Sequence, residues 1–471
     1  MDAAELCWTP ATELVGLIRA RKLSPVELTQ AVLARLARLN PALNAFCTVT
    51  ADLALAEARD AELAVMHGAP LGPLHGIPYS IKDLNLTKGI RTMSGSHIFA
   101  TRVPDVDPPF VRRLREAGGI MLGKTTSPEF GWKGIGDSPL TGITRNPWNP
   151  ATTTGGSSAG AGAAAAAGLG PLHQGSDGAG SIRIPSGFCG IYGLKPSFGR
   201  VPHGPGFPGW QHVSVTGPMT RTVRVAALML DALAGPDDRD RWSLPADGEP
   251  PFLAACEGGL EGLSIGWSAD LGYARVDPEV AELCGAAAEL FEGLGCHVEV
   301  VTPSWENPEE IFRTLSAAES YAAWRERLED SADQLDPSFV AVLKYGHTIT
   351  IDQYMDAARR RKELWTDVQR FLARFDLLIT PTVAVPPFPV ARPAVTEING
   401  EPVSRLGWIA FTFPFNLTGQ PAATVPVGMT AAGLPVGLQI VGRRFAERAV
   451  LAASAAFEAA QPWAAGRPSV G

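Results

Sequence analysis

The sequence lacks the cysteine and histidine patterns that bind metal. Its 471 residues contain six cysteines, and no two of them are spaced as C-x-x-C or placed beside histidine at ligand spacing. The cysteines are Cys7, Cys47, Cys189, Cys256, Cys284 and Cys296. We therefore expect free thiols and no structural zinc, and we predict a functional site that uses neither a metal nor a cofactor.

Long hydrophobic runs are also missing. No apolar run approaches the roughly 18 residues that a membrane-spanning helix needs. The longest run of small residues, 159–170, is too short and too rich in glycine. The opening MDAAELCWTP has no basic segment followed by an apolar one, as a signal peptide would. We expect a cytoplasmic protein without a membrane partner.

An excess of positive charge is absent as well. Lysine and arginine together number 40 against 48 acidic residues, which gives a net charge of −8. The one basic run, 359–362, is followed by Glu363 and is predicted to be a solvated helix face. We expect no nucleic-acid partner, and we see no cluster of arginines that would clamp an acidic substrate.

The order of patterns along the chain indicates an α/β protein. Ser24-Pro25-Val26-Glu27 is typical of a capping box that opens a helix. Residues 260–305 read as strand, helix and strand, and 307–375 as charged helices. Between Gly123 and Gly217, glycine, proline, serine and threonine predominate, which favours functional loops.

We predict a single large mixed β-sheet flanked by helices, with a helical insertion. The predicted segments are N-terminal helices (1–66), a core that carries the chemistry (67–235), a continuation of the same sheet (236–306), a helical insertion or cap (307–375), and C-terminal strands with a helix (376–471).

Two glycine-rich stretches contain serines that could act as nucleophiles. In GGSSAG (155–160), Ser158 is the central serine of a G-x-S-x-G pattern. A nucleophile elbow of this kind should follow a buried strand, yet the preceding TRNPWNPATTTG is polar and rich in proline. An α/β-hydrolase-type esterase that uses Ser158 is one alternative. No P-loop or dinucleotide-binding fingerprint is present.

Three motifs in fixed order resemble the amidase signature family of serine hydrolases. They are GPLHGIPYSIKD (72–83), GGSSAG (155–160) and GSDGAGSIRIPS (175–186), and the resemblance extends to PFNLTGQPAATVPVG (414–428). The family uses a Ser–cis-Ser–Lys triad, and the resemblance implies that Ser181 is the nucleophile, Ser157 the bridging serine and Lys82 the base. It also implies a cis peptide bond before Ser157.

The resemblance assigns supporting roles to nearby residues. Ser158 would hold the network, and Asp177 with Arg183 would brace the nucleophile loop. Successive backbone N–H groups would form an oxyanion hole, and we expect the amides of Gly178, Ala179, Gly180 and Ser181 to do so. Where the family commonly has D-T-G-G-S, this chain has alanine at 179, which restricts φ at a position where glycine is common.

Elementary chemistry agrees with lysine as the base. Because side chains alternate along a strand, Lys82 and Asp83 should point in opposite directions. A buried lysine without a carboxylate partner has a lowered pKa and can be neutral near pH 7.

The expected reaction is amide hydrolysis through a seryl acyl-enzyme, with esters and carbamates (urethanes) as further substrates. Aromatic residues near the motifs favour an apolar small-molecule substrate. The predicted pocket residues are Phe130, Trp132, Trp148, Tyr192, Phe207, Trp210, Tyr321 and Trp324.

Three matters remain open in the sequence. The family also includes a glutamine-hydrolysing transamidation subunit, which commonly carries S-I-R-Q-P where this chain has SIRIP (181–185). A binding protein without catalysis is a further alternative. We also leave open whether the protein is a homodimer.

Overall fold

A computed structural model describes residues 2–204, 209–246 and 248–470, and its largest sheet has eleven strands. The strands are β1 (Phe46–Val49), β2 (Pro78–Lys82), β3 (Ile120–Thr125), β4 (Leu172–Asp177), β5 (Tyr192–Lys195), β6 (Val215–Thr220), β7 (Ser264–Trp267), β8 (His297–Val300), β9 (Leu377–Pro381), β10 (Ala422–Met429) and β11 (Pro435–Gly442). Two short ribbons, 137–143 and 397–402, lie outside this sheet.

Helices cover the sheet. They are α1 (Ala3–Leu6), α2 (Ala11–Arg19), α3 (Pro25–Leu43), α4 (Ala51–Met66), α5 (Pro109–Glu116), α6 (Ala159–Ala166), α7 (Arg183–Cys189), α8 (Val223–Leu233), α9 (Phe252–Ala255), α10 (Pro278–Gly293), α11 (Glu309–Ser331), α12 (Pro337–Thr348), α13 (Ile351–Leu372), α14 (Pro414–Leu417) and α15 (Glu447–Ala460). None of these helices has the length and apolar character needed to cross a bilayer.

The sheet is mixed, and its order is β1-β3-β2-β4-β6-β5-β10-β11-β9-β7-β8. Strand β2 runs parallel to its neighbours β3 and β4. The strands from β4 to β9 pair antiparallel, and β7 is parallel to both β8 and β9. The predicted fold class is confirmed, as is the strand–helix–strand unit, which is β7–α10–β8. The predicted division into five segments stays a prediction.

The stretch from Gly123 to Gly217 is more regular than the sequence suggested. It supplies three central strands, β4 to β6, and the helices α6 and α7. Polar side chains of β4 form specific bonds inside the sheet: His173 Nδ1 lies 2.8 Å from Ser80 Oγ, and Gln174 Oε1 accepts from the Lys82 N–H at 3.1 Å. Because these buried polar groups are paired, a strand of unusual composition is stable there.

Helix α6 consists only of alanine and glycine, and every residue in it is buried. A Cβ added at Gly160 would lie 2.2 Å from the Ala45 carbonyl oxygen. Small residues therefore permit a close approach of α6 to its neighbours. As a result, the segments that precede α6 and α7 meet, and the Ser158 N–H donates to the Ser181 carbonyl at 3.1 Å.

The charged helices α11, α12 and α13 pack beside the loops that follow β3. Phe130 stacks on Trp324 of α11 at a centroid distance of 4.0 Å, and Phe339 of α12 meets the Phe130 ring edge-on at 5.4 Å. One predicted feature is corrected: Arg361, in the basic run on α13, is not fully solvated. It is half-buried because its guanidinium donates to the carbonyls of His212 and Leu417.

Candidate active site

Lys82 stands at the carboxyl end of β2, inside the protein. Its Nζ donates to Ser157 Oγ at 2.7 Å and to Ser176 Oγ at 3.0 Å. Burial lowers the pKa of Lys82 to about 7, although the Asp177 carboxylate opposes the shift. A large fraction of Lys82 is therefore neutral at neutral pH and can accept a proton.

Asp83 points to a different environment, as strand alternation predicts. Its carboxylate accepts from the Met93 N–H at 3.1 Å, and the cation with the largest effect on it is Lys124. Burial raises the pKa of Asp83 to about 6, with Lys124 opposing the shift. Asp83 therefore does not hold Lys82 in its charged form.

The two serines before α6 differ in what they face. Ser157 follows a cis peptide bond from Gly156, as the resemblance implied, and its hydroxyl borders a cavity. Ser158 is fully buried, where its Oγ donates to the Ser176 carbonyl at 3.1 Å and accepts from the Ser176 N–H at 3.2 Å. With both bonds made and no access to the cavity, Ser158 is poorly placed to attack a substrate, which argues against the elbow alternative.

Ser181 lies just before α7 and borders the same cavity as Ser157. Within the described residues its hydroxyl makes no hydrogen bond, and none joins it to the Ser157 hydroxyl. Hydrogen bonds between reacting groups often shorten only when substrate is bound. The structure thus places Ser157 and Ser181 on the lining of one cavity, with Lys82 hydrogen-bonded to Ser157.

A buried ion pair fixes the loop that carries Ser181. The Asp177 carboxylate accepts from Arg183 Nε at 3.0 Å and Nη2 at 2.9 Å, and both side chains are fully buried. The Arg183 guanidinium overcomes the effect of burial and holds the pKa of Asp177 far below its usual value. The carboxylate also accepts from the N–H groups of Gly180 and Ile182, so it sets the path of the loop.

The predicted oxyanion hole needs one correction. The Gly180 N–H donates to Asp177 Oδ1 at 2.7 Å and is not free for a substrate. In the described structure, the amides of Gly178, Ala179 and Ser181 donate to no other group. Gly180 has a φ of +122°, and Ala179 is not among the residues with positive φ, so alanine at 179 is accommodated.

Sequence reasoning missed the partners of Arg183 in the last quarter of the chain. Arg183 donates to the Thr412 carbonyl at 2.8 Å, to Gln439 Oε1 at 2.6 Å and to Asn416 Oδ1 at 2.6 Å. Asn416 also donates to the Asp177 side chain at 2.9 Å. Of these partners, only Asn416 could have been suspected from the sequence, because it lies in the motif at 414–428.

The cavity next to Ser181 has a volume of about 430 Å³. Four of the predicted aromatic residues line it: Phe130, Trp132, Trp210 and Trp324. Phe339 was missed because its place on α12 is distant from every motif. Trp210 is fixed by a hydrogen bond from its Nε1 to Ser320 Oγ of α11, at 2.8 Å.

Three other predicted pocket residues do not line this cavity. Tyr192 lies inside the sheet and its hydroxyl reaches Ser454 of α15, at 3.4 Å. Trp148 donates from Nε1 to the Cys189 carbonyl at 2.8 Å, at the far end of α7. Tyr321 pairs with His347 on the outer side of the helical insertion. Phe207 falls outside the described residues.

Charged side chains at the mouth of the cavity were also not foreseen. The segment 238–241, Asp-Arg-Asp-Arg, lines the opening, together with Trp242. Arg239 pairs with Asp237 at 2.9 Å, and Asp240 accepts from the His203 N–H at 2.7 Å. The sequence analysis found no cluster of arginines, yet Arg239 and Arg241 both line this cavity.

All six cysteines are free. Across residues 2–204, 209–246 and 248–470, no group of three or more histidine, cysteine, aspartate and glutamate side chains is arranged to hold a metal ion.

Comparison with known proteins places this geometry in a family. The family profile described as Amidase matches residues 27–451. The chain is 39% identical to an acylamidase of Rhodococcus erythropolis over 476 aligned residues, covering 100% of this chain and 99% of that protein. It is 34% identical to a glutamyl-tRNA(Gln) amidotransferase subunit from Geobacter metallireducens, covering 96% and 97% of the two chains.

A solved structure of a bacterial aryl acylamidase of the amidase signature family superposes with a TM-score of 0.91 at 33% identity. The match covers 98% of this chain and 99% of that one. The similarity therefore extends over essentially the whole fold, including the sheet, the loops before α6 and α7, and the helices α11 to α13.

Proposed function

The chain belongs to the amidase family, and we propose that it hydrolyses amides with apolar aryl or alkyl groups through an acyl-enzyme on Ser181. One observation carries the proposal. A buried lysine of lowered pKa donates to Ser157 Oγ at 2.7 Å, and Ser157 and Ser181 line the same cavity.

In the proposed mechanism Lys82 begins as a neutral amine. Ser181 Oγ attacks the carbonyl carbon of the amide while its proton passes to Ser157 and the Ser157 proton passes to Lys82. The carbonyl oxygen becomes an oxyanion, which the amides of Gly178, Ala179 and Ser181 stabilise.

The leaving amine then takes a proton back. Collapse of the tetrahedral intermediate breaks the C–N bond, and the Lys82 proton returns through Ser157 to the departing nitrogen. The acyl group remains on Ser181 Oγ. A water molecule attacks it by the same relay, which releases the acid and restores the serine.

The lining of the cavity supports an apolar substrate. Phe130, Trp324 and Phe339 form one wall and Trp210 forms another, so a planar ring can be buried against them. Aryl esters and carbamates form a tetrahedral intermediate with the same oxyanion, and we propose that they are cleaved too. The similarity to an acylamidase and to an aryl acylamidase is in line with this substrate class.

Glutamine hydrolysis is the second candidate, because relatives of 34% identity are amidotransferase subunits. Two features speak against it. Ile184 stands where that branch commonly has glutamine, and it is buried against the loop at Gly180. The aromatic walls of the cavity also provide few hydrogen-bond partners for the α-amino and α-carboxylate groups of free glutamine.

A substrate panel with matched serine variants tests the proposal. We expect anilides and aliphatic amides with apolar acyl groups to have the highest kcat/KM, with free glutamine far below. Ser181→Ala should abolish turnover and labelling by a fluorophosphonate, whereas Ser158→Ala should retain labelling. Labelling that persists in Ser181→Ala and disappears in Ser158→Ala would overturn the assignment of the nucleophile, and a preference for glutamine would overturn the substrate class.

A further inference from the structure

A second groove adjoins the proposed substrate cavity. It has a volume of about 450 Å³ and lies between α13, α11 and the segment that follows α14. Phe198 and Trp242 line both this groove and the cavity of Ser181. The two rings meet edge-on at 5.9 Å, so the same pair of side chains borders both spaces.

The groove presents aromatic surface to solvent. Trp242 and Trp365 are 42% and 40% exposed, although tryptophan is usually largely buried. Tyr354 lies in the same groove, with Leu315 and Leu417 buried beneath it. An exposed aromatic surface next to a catalytic cavity is typical of a ligand-binding surface.

The charges of the groove are mostly positive. Arg361, Lys362 and Arg444 line it, against one carboxylate, that of Glu319. Glu319 lies 3.1 Å from His212 Nδ1, and the Arg361 guanidinium is bonded to two backbone carbonyls. Lys362 and Arg444 are exposed and, in the part of the chain that the structure describes, pair with no carboxylate.

From these observations, we propose that the groove is a second binding site for the distal end of an elongated amide substrate, and that this end is an aromatic ring that carries a carboxylate. The ring would lie against Trp365 and Trp242, and the carboxylate would face Lys362 and Arg444. The reacting amide would remain at Ser181, with a flexible linker passing Phe198 and Trp242. The proposal rests on the proposed amidase function and narrows its substrate class.

The test uses a series of benzanilides whose para position carries an alkyl linker of increasing length. In one set the linker ends in benzoate and in the other it ends in phenyl. We expect kcat/KM for the benzoate set to rise once the linker is long enough to reach the groove, and to exceed that of the phenyl set at the same length. No rise with linker length, or equal values for the two sets, would overturn the proposal.

Matched variants test whether the preference for the benzoate set arises in the groove. Lys362→Glu should lower the benzoate-to-phenyl ratio of kcat/KM by about tenfold, the size expected for reversing one exposed charge close to its partner. Lys344→Glu makes the same charge change on an exposed site of α12 outside the groove and should leave the ratio unchanged. Trp365→Ala should lower kcat/KM for both extended sets, whereas Met355→Ala, also exposed on α13, should not. Equal effects of Lys362→Glu and Lys344→Glu would contradict the proposal.

A binding measurement separates this inference from the proposed function. In Ser181→Ala, the extended benzoate ligand should bind with a Kd that Lys362→Glu raises about tenfold. If the wild-type protein cleaves no amide, the proposed function fails while this titration still decides whether the groove binds the acid. If the wild type cleaves the unextended benzanilide but the titration shows no effect of Lys362→Glu, only the groove proposal fails.

Discussion

Burial of Lys82 is the residue-scale property on which the proposed chemistry depends. Only the neutral amine can accept a proton, and burial lowers its pKa to about 7. Activity should therefore be low well below pH 7, rise through an apparent pKa near 7 and level off above it. The measurement is kcat/KM against pH with an uncharged aryl amide.

Lys82→Ala should remove this rise with pH. It should also reduce amide hydrolysis by about 10²–10⁴-fold, the usual value of a general acid–base group. Hydrolysis of a p-nitrophenyl ester should fall less, because p-nitrophenolate leaves without a proton. Equal losses on a matched amide and ester, or an unchanged pH profile, would show that Lys82 has another role.

The pair of Asp177 and Arg183 makes a separate prediction at this scale. Asp177→Asn leaves the fully buried Arg183 guanidinium without its carboxylate, which should cost about 3–5 kcal/mol of unfolding free energy. Asp333→Asn, at an exposed site, should change stability little. Denaturation by urea compares the two variants, and a loss as small as that of Asp333→Asn would contradict the importance of the pair.

The lowered pKa of Asp177 determines how its contribution to folding stability depends on pH. The pKa of Asp177 is lower in the folded protein than in the unfolded chain. Its contribution to the free energy of unfolding is therefore fully present above the unfolded pKa, about 4. It is lost as the pH falls from there through the pKa of the folded protein. Wild-type stability should decline at acidic pH more steeply than that of Asp177→Asn.

Single residues also show where sequence reasoning stopped. The motifs pointed to Lys82, Ser157 and Ser181, which do lie together. They did not reveal that the Gly180 N–H is occupied by Asp177, because that depends on the direction in which one carboxylate turns within the loop. Hydrogen-bond direction is a property of the folded backbone and leaves no trace in residue type.

At the scale of elements, the start of α3 shows a partly correct prediction. The Ser24 hydroxyl accepts from the N–H groups of Val26 and Glu27, as an N-cap should. The reciprocal contact of a capping box is not made by Glu27 in the described structure. The Ser24 hydroxyl also donates to Glu62 of α4 at 2.5 Å, a tertiary contact that the local pattern did not indicate.

Helix α6 provides a prediction from close packing. In Gly160→Ala the new methyl group would meet the Ala45 carbonyl oxygen and the Thr126 N–H, both backbone groups that cannot rotate away. We expect a loss of about 1–3 kcal/mol in unfolding free energy and a displaced Ser157.

Gly285→Ala is the matched control. Gly285 also lies inside a helix, α10, and an added Cβ there would have no neighbour within 4 Å. That change should raise the unfolding free energy by up to about 1 kcal/mol, through helix propensity alone. Equal effects of the two alanines on the melting temperature would show that α6 is not tightly packed.

The central elements were the hardest to predict from sequence. Amphipathic helices such as α10 and apolar strands such as β9 have clear periodicity and were found. Strand β4 (LHQGSD) is buried on both faces but rich in polar residues and glycine, so its pattern is that of a loop. Its stability comes from partners distant in sequence, which no local pattern contains.

At the scale of the whole molecule, two polar contacts of Asp336 join the helical insertion to the loop that follows β3. Lys133 Nζ lies 2.7 Å from Asp336 Oδ2, and the buried Glu129 accepts from the Asp336 N–H at 2.6 Å. Asp336 is the N-cap of α12, which carries Phe339. These contacts of Asp336 therefore fix one aromatic wall of the proposed substrate cavity.

Lys133→Ala should loosen this attachment. The lost bond is partly buried and charged, so we expect faster amide hydrogen exchange in 331–340 and a higher KM for aryl amides. Lys344→Ala, exposed on the same helix as Phe339, is the control and should change neither. Unchanged exchange in Lys133→Ala would mean that the aromatic cluster alone holds the insertion.

The order of strands illustrates what sequence cannot determine. The apolar strands in the second half of the chain were recognisable, whereas β4 to β6 were not, and a mixed sheet was the correct class. That β10 and β11, from the end of the chain, pair between β5 and β9 follows from long-range packing. Hydrophobic periodicity carries no information about which strand is a neighbour.

The hydrogen bonds of Arg183 to the last quarter of the chain have a consequence for how the protein is made on the ribosome. Lys82, Ser157 and Ser181 are all made within the first half of the chain, but Arg183 is bonded to Thr412, Asn416 and Gln439. A nascent polypeptide on the ribosome thus contains every reactive side chain long before the groups that shape the Ser181 loop have left the exit tunnel. We therefore expect the Ser181 loop to reach its final hydrogen bonding, and the protein its activity, only when synthesis is nearly finished.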